Sequence, residues 1–398
     1  MDSKVYLVIT PFFPEPNSFR GPYVLDQVKA IIRNSKLKVV VLKPYSAFKK
    51  EEGDYTIDNI RVYRFKDYTL PSSLFYNKVC DWLSGLSLQR KLRTIGIDIS
   101  NISYCHCHVN ELGHYGIFLK KKNPNIKTMV QHHGFDVYSQ TLGIFGKYKW
   151  HQCLCESYGV SISNNVDLNI GVSNVTLSFL LHKKGSQPKA TYVLYNGVDK
   201  SLFYPQQRNK RRIYRIGCIA NFWPLKDQKT LLKAIDLIVT NGVQKIKVIF
   251  IGTGPTLDDC INYVKTKKLE TYVEFRNEVK HEELPEFYNS LDLFVLPSYY
   301  EAFGCVYAEA YSCGIPFIGV YGQGISEIVD ISQKERCLIS KGDYKKLSEL
   351  ILYNMENTQT ESLSIDIDID VLISKFHYCP VKILDLEINR VDHHPLGR

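Results

Sequence analysis

The stretch Leu291-Asp-Leu-Phe-Val-Leu-Pro297-Ser-Tyr-Tyr-Glu301-Ala-Phe-Gly304-Cys-Val-Tyr-Ala-Glu309-Ala-Tyr-Ser-Cys-Gly-Ile-Pro316 decides how this chain of 398 residues is read. Its apolar start, Leu291 to Leu296, has the length of a buried strand; Pro297-Ser298 closes it, and a helical pattern follows Gly304. Glu301 therefore lies in a strand-to-helix loop, and Glu309 about one turn inside the helix. The first amides of a helix have no carbonyl to bond, so the N–H groups of Phe303, Gly304, Cys305 and Val306 can face an anion, with the helix dipole assisting. A carboxylate one turn further in can accept from ribose hydroxyls while those amides hold phosphate, which leaves Glu301 for a sugar. The pattern suggests a nucleotide-sugar site. Two glutamates alone are more often a buried loop acid and a solvated helix acid, so the rest of the chain has to carry the distinction.

Working outward, strand-like runs alternate with helical patterns almost throughout, which predicts α/β domains built on parallel sheets. One block has strands at Val5–Thr10, Lys38–Leu42, Ile102–His108, Lys127–Gln131, Asn169–Ser173 and Thr191–Leu194, with helices at Pro22–Arg33, Gly113–Lys122 and Asn174–His182. A second has strands at Ile213–Ala220, Lys247–Ile251, Tyr272–Phe275, Leu291–Leu296 and Pro316–Val320, with helices at Lys229–Val239, Thr256–Lys267 and Glu282–Asn289. The expected organisation is a Rossmann-like doubly wound domain over 1–205, a polar linker at 206–212 and a second such domain over 213–375. A helix and tail over 376–398 would cross back to the first domain. Ligands of such domains bind at the carboxyl ends of the strands, so the site belongs in the cleft between them.

The composition, 44% hydrophobic and 23% charged, suits two globular domains. Val5 to Phe13 is far shorter than the ~20 residues of a membrane span, and no cleavable leader pattern precedes it, so a cytoplasmic protein is expected. Eleven cysteines scattered through apolar segments read as reduced thiols. In Cys105-His106-Cys107-His108, successive strand residues point to opposite faces, which argues against one metal ion bound by all four. The net charge of +9 gathers in runs such as Lys120-Lys121-Lys122, Lys183-Lys184 and Arg208 to Arg212. Such runs are usually solvated faces; in the first block they also suit an anionic membrane surface. Nucleic acid is not expected as a partner, because no RNA-binding or helix-turn-helix pattern accompanies the charge. Gly252-Thr-Gly254-Pro255 lacks the third glycine of a dinucleotide fingerprint and reads as a tight turn.

The Glu301–Pro316 stretch, with Phe-Gly after its first acid and its Ala-Tyr-Ser-Cys-Gly-Ile-Pro tail, resembles the donor-binding signature of the family 4 retaining glycosyltransferases. Further likenesses lie in Gln131-His132-His133-Gly134-Phe-Asp136, Asn196-Gly197-Val198-Asp199, Val279-Lys-His281-Glu-Glu-Leu-Pro-Glu-Phe-Tyr288 and Gly324-Ile-Ser-Glu327-Ile-Val329. Together they cover roughly residues 5 to 350. The resemblance implies the GT-B fold, two Rossmann-like domains facing across a cleft, and no cofactor or divalent metal. It implies transfer of a sugar from a nucleoside diphosphate to a glycan or lipid-linked hydroxyl, with bacterial surface polysaccharide as the expected product. Glu301, His133 and Lys226 become the expected catalytic set.

Donor contacts are expected from Glu309, the Phe303–Val306 amides, Gly21 and Arg20 of the first domain, and backbone groups at Glu278 and Val279 beside the base. The family carries an arginine where this chain has Asn221, so one of two usual cations is missing and Arg20 is the expected substitute from across the cleft. Rival classes are a glycosidase using the two carboxylates, an epimerase of the same fold and a sugar-nucleotide binder without turnover.

Overall fold

The computed structural model describes residues 4–15, 21–50, 53–69, 78–137, 150–207, 212–357, 360 and 362–376. Strand β1 (Val5–Ile9) shows how the first domain forms: Val5, Leu7 and Ile9 enter one apolar cluster, and Tyr6 and Val8 enter another on the opposite face. A strand covered on both sides needs apolar residues at every position, and all five of its residues are buried. Around β1 lie β2 (Lys38–Ser46), β3 (Tyr55–Ile57), β4 (Ile60–Asp67), β5 (Ile102–His108), β6 (Lys127–His132), β7 (Leu168–Gly171) and β8 (Thr191–Val193). The sheet order is β3-β4-β2-β1-β5-β6-β7-β8, parallel except for the β3–β4 pair. The β3–β4 hairpin is absent from the sequence expectation. It turns at Asp58 and Asn59, both with positive φ, and its second strand buries Val62 and Phe65.

Helix α1 (Pro22–Asn34) covers one face, while α2 (Lys78–Thr94) and α3 (Gly113–Lys122) pack together on the other. The helix α4 (Trp150–Asn165) and α5 (Asn174–Leu181) complete the domain.

The second domain is a six-stranded parallel sheet: β9 (Tyr214–Ile219), β10 (Ile246–Ile251), β11 (Val273–Arg276), β12 (Leu293–Val295), β13 (Phe317–Val320) and β14 (Leu338–Ile339), ordered β11-β10-β9-β12-β13-β14. Its helices are α6 (Gln228–Thr240), α7 (Leu257–Thr266), α8 (Leu284–Asn289), α9 (Cys305–Ser312), α10 (Gly324–Ile328), α11 (Lys334–Cys337) and α12 (Tyr344–Glu356). In both sheets the order reverses beside the first strand, between β1 and β5 and between β9 and β12. Such reversals open a crevice at the carboxyl ends of the strands.

Two features lock the domains together. Glu327 on α10 reaches across to cap α5: its carboxylate accepts from the backbone N–H groups of Asn174 (2.8 Å) and Val175 (2.7 Å) and from the Tyr195 hydroxyl (3.1 Å). A carboxylate at a helix start satisfies amides that lack carbonyl partners and meets the positive end of the helix dipole. The chain also returns to the first domain before residue 376, earlier than the sequence suggests. Ile369, Ile373 and Phe376, on a helical segment over 369–376, enter the same cluster as Tyr6 and Leu25. Asp370 pairs with Arg33 at 2.7 Å, and Val198 bridges Asp368. A Cβ on Gly197 would lie 2.6 Å from the Ile369 Cα, so the Asn-Gly-Val-Asp segment keeps its glycine where the chain passes over it. Residues 377–398, the expected tail, lie outside the described residues. Among the described residues no helix is long and apolar enough to cross a membrane.

Candidate functional site

Because β9 pairs with β12 (Leu293 beside Ile216, Phe294 beside Gly217), the loops that follow these two strands meet. After β9 the chain makes a short turn over Pro224–Lys226, ended by Asp227 at φ 47. After β12 it reaches Glu301. The Lys226 ammonium lies 2.5 Å from Glu301 Oε1, and the Ser298 hydroxyl donates to the same oxygen at 2.8 Å. The backbone of Glu301 is held as well: its N–H donates to Gln323 Oε1, and the Gln323 amide donates to the Tyr299 carbonyl at 2.8 Å. Two of the sequence-selected residues are thus one ion pair, fixed at the crevice.

Three residues further on, Gly304 adopts φ 83 and starts α9. A side chain there would be strained in this left-handed region and would meet the Tyr307 ring at 2.6 Å. The helix begins at Cys305, so the amides of Cys305 and Val306 belong to its unpaired first turn. Phe303, grouped with them in the sequence reading, is 1% exposed and packs against Tyr195; its side chain is core, and only its backbone faces the loop. Glu309 is buried one turn into α9. One carboxylate oxygen accepts from the Tyr288 hydroxyl at 2.7 Å, and the other faces His281 Nε2 at 3.7 Å. Burial, with Glu309 next, pushes the Cys305 thiol well above its ordinary range, so it stays a thiol.

On the flank expected to face a base, Glu278 is exposed and accepts from the Thr253 hydroxyl at 3.0 Å, while Val279 packs onto the domain core. Gly252 and Gly254 have φ of 141 and 148. A Cβ on Gly252 would meet the Ala220 carbonyl oxygen at 2.2 Å, and one on Gly254 the Phe222 carbonyl oxygen at 2.6 Å. The Gly-x-Gly pair is therefore the close-packed turn that the sequence implied. Asn221 is exposed, and its carbonyl accepts from Gln228 at 3.1 Å.

In the first domain, Gly21 caps α1 at φ 86, and a Cβ on it would fall 1.6 Å from the Phe12 carbonyl oxygen. Arg20 lies outside the described residues. The His132–Asp136 loop is organised by the Asp136 carboxylate. One oxygen accepts from the N–H groups of His133 (3.0 Å) and Gly134 (3.1 Å), the other from Asn110 N–H (3.0 Å) and the His132 ring (2.9 Å). Burial alone would raise the Asp136 pKa, but these bonds and the two histidines outweigh it and hold it below its ordinary value.

His132, fully buried between Asp136 and Asn169, is the structural histidine of the pair. His133 faces Tyr23 with ring centroids 5.1 Å apart, and burial pushes its pKa down to about 4. Gly134 comes so close to the second domain that a Cβ on it would lie 2.6 Å from the Tyr300 hydroxyl and 2.8 Å from the Ala302 Cβ. The histidine loop and the glutamate loop are therefore neighbours across the crevice.

Sequence reasoning misses Ser298, Gln323 and Asp26 as site residues, and His281 and Tyr288 enter it only as parts of a likeness. Asp26 has a readable signal: like Glu309, it sits one turn inside a helix that opens from a glycine loop at the crevice. Gln323 has none, since only the fold brings it to Glu301, as only the fold brings Tyr288 to Glu309. Among the described residues no three His, Cys, Asp or Glu side chains gather as metal ligands would.

Two family models divide the chain. The one described as Glycosyltransferase Family 4 matches residues 10–202, and the one described as Glycosyl transferases group 1 matches 203–364. A curated relative, N-acetyl-alpha-D-glucosaminyl L-malate synthase of Bacillus anthracis, is 28% identical over 156 residues. That match takes in 37% of this chain and 40% of the relative, so it spans about two fifths of the relative's length. Among solved structures, a sucrose-phosphate synthase from Thermosynechococcus elongatus superposes with a TM-score of 0.72 at 17% identity, over 95% of this chain and 99% of that one. HepE from Anabaena in complex with UDP gives 0.69 at 16% identity, over 95% and 100%. At these identities the superpositions establish the two-domain GT-B fold.

Asp26 makes the electrostatics of the crevice testable. Burial pushes its pKa up to about 6; His281 and Lys29 oppose this, while Asp199 and Glu309 add to it. The folded state therefore binds this proton more tightly than the unfolded chain. The resulting stability is complete below the ordinary aspartate pKa of 3.8 and is lost as pH rises through about 6. Asp26→Asn should raise the melting temperature at pH 7.5 by several degrees, on the order of 1–3 kcal/mol, and leave it nearly unchanged at pH 4. Melting curves at the two pH values decide it: equal shifts at both, or a less stable variant at pH 7.5, would contradict the assignment.

Proposed function

The chain belongs to the family 4 glycosyltransferases, and from that membership and its crevice we propose that it moves a sugar from a nucleoside-diphosphate sugar to an acceptor hydroxyl, with retention of configuration. The observation that carries this reading is the Lys226–Glu301 ion pair, set three residues before the Gly304 cap of α9 at the point where the second sheet reverses its order. In this reading the diphosphate sits on the Cys305 and Val306 amides with Lys226 beside it. Positive charge then stands where the leaving group's negative charge grows, which is where stabilisation speeds a reaction. Glu301 takes hydroxyls of the sugar, Glu309 those of the ribose, and His133 orients the sugar from the first domain.

The anomeric carbon–oxygen bond to the diphosphate breaks as the acceptor oxygen bonds on the same face. The acceptor's proton passes to a phosphate oxygen of the leaving group, so no protein base is required. Metal-independent operation is part of the proposal, because the ammonium and the helix start provide the compensating charge. The transferred unit is a hexosyl or N-acetylhexosaminyl group, and a uridine nucleotide, as bound by the Anabaena protein, is the first donor to test.

For the acceptor we propose a glycan or lipid-linked hydroxyl of surface-polysaccharide synthesis, reached at the inner face of the cell membrane. Val79, Trp82 and Leu83 support it: they are exposed at i, i+3 and i+4 spacing on α2, beside the exposed basic residue Lys78. Such a face can rest in an anionic bilayer surface.

A melting-temperature panel of UDP-, GDP- and ADP-sugars tests the donor, since a ligand at 100 times its Kd adds about 2.7 kcal/mol. One donor should raise the transition, Glu309→Ala should abolish the rise, and Glu301→Gln should keep it while losing turnover. Full activity in both variants would overturn the site, and product formed without acceptor would indicate the epimerase. Co-flotation with vesicles containing anionic lipid should weaken severalfold in Trp82→Glu; unchanged or absent flotation of the wild type would remove the membrane from the account.

A further inference from the structure

Alternation along β5 divides the Cys105-His106-Cys107-His108 cluster between two faces. The thiols of Cys105 and Cys107 lie 3.8 Å apart on the side of Tyr115 and Leu112. His106 and His108 stack on the other side, with ring centroids 4.6 Å apart and planes 20° from parallel. The Tyr6 hydroxyl lies 2.9 Å from His106 Nδ1. At the crevice end, His108 Nδ1 lies 3.0 Å from His133 Nε2, with the two rings 13° from parallel. A row of polar rings thus runs from the sheet interior to the histidine expected to meet the sugar.

The His108–His133 contact holds one proton, and there are two ways to place it. If His133 Nε2 donates, the proton of neutral His108 is on its own Nε2, which is buried without a partner. The register neighbour of His108 is Gln131, on the same face, and the Gln131 amide nitrogen is likewise buried without an acceptor. That arrangement puts two orphan donors in one layer. If instead His108 Nδ1 donates, its Nε2 is a bare lone pair and the buried N–H without a partner is that of His133 Nδ1. Each placement thus leaves one such N–H: the first in the fully buried His108 ring, the second on the loop that borders the second domain across the crevice, where an oxygen of a ligand can accept from it. Both rings are neutral, because burial drives the His108 and His133 pKa values down.

The backbone independently marks His108 as held in place. The next residue, Val109, has φ 71 and ψ 149, a conformation that a β-branched residue adopts only when its surroundings impose it. Such strain gathers at sites whose geometry is used.

We propose that His108 is a positioning residue: it donates from Nδ1 to His133 Nε2 and fixes His133 as the Nδ1–H tautomer, so that His133 presents an N–H to an oxygen of the transferred sugar. The role in transfer rests on the donor reading above. The choice of tautomer rests on it too, through the oxygen that meets the His133 N–H, but the tautomer itself is measured in the unliganded chain.

Full-length protein labelled with 15N-histidine reads the tautomer directly from two-bond proton–nitrogen correlations, with His133→Gln identifying the signals. The wild type should show His133 protonated at Nδ1, the reverse of the form that histidine prefers free in water. His108→Phe keeps a ring between His106 and His133 but has no donor, and there His133 should revert to Nε2–H. His108→Asn, whose amide places an N–H near the former Nδ1, should retain Nδ1–H. With the donor found above, His108→Phe should lower kcat on the order of tenfold, one hydrogen bond's worth, with a smaller change in KM, and His108→Asn should recover most of it. An Nε2–H tautomer in the wild type, or an unchanged tautomer in His108→Phe, overturns the assignment. These spectra are recorded without sugar nucleotide, so the tautomer they show is measured independently of the donor reading.

Discussion

The ion pair of Lys226 with Glu301 is the contact on which the second domain's half of the crevice depends. It ties the turn after the first strand of that sheet to the loop after the fourth, across the point where strand order reverses. Its side chains retain 22% and 11% of their exposure, so neither charge is fully desolvated, and each compensates the other. Removing either partner would leave a half-buried charge behind. The pair also places an ammonium at the crevice before any ligand arrives, so an incoming anion meets a cation already partly desolvated and oriented. Ser298 and Gln323, which hold Glu301 by its side chain and its amide, keep that geometry from relaxing.

The first domain supplies the opposite wall, and its position is fixed by contacts that cross between domains. Glu327 takes the first two amides of α5, while the helix's own Ser173 takes that of Thr176. The segment over 369–376 fills the face of the first sheet beside α1. Both constrain how far the crevice can open without breaking capped amides or uncovering apolar surface. The near contact of Gly134 with Tyr300 and Ala302 shows why the histidine loop carries glycine there: any side chain would push the two walls apart.

What the sequence reveals, and what it hides, follows from the range of the interactions. Strands buried on both faces, such as Val5–Ile9, and helices opened by Gly21 or Gly304 announce themselves locally, because burial and backbone conformation act on the residues that carry the signal. The β3–β4 hairpin has a readable turn in Asp58-Asn59, yet it escapes a sequence reading because β3 is short and β4 mixes charged and apolar residues without a period of two. The ring row through His106, His108 and His133 is half legible: alternation on β5 separates the histidines from the cysteines, but nothing local shows that β6 brings His133 to His108. The partners of Glu309 and Glu301 are hidden for the same reason. Phe303 enters the sequence reading through its amide alone, and its side chain, of which that reading says nothing, is core. Arg20, expected to stand in for the cation lost at Asn221, lies outside the described residues.

The proposed function turns on one binding event, a nucleoside diphosphate resting on the start of α9 near the Lys226–Glu301 pair. A crystal structure of the chain with the nucleoside diphosphate of its donor shows whether that event occurs. Phosphate oxygens should lie within about 3.2 Å of the Cys305 and Val306 amide nitrogens and of the Lys226 ammonium. An ordered diphosphate bound elsewhere, with those amides facing solvent or other side chains, would contradict it.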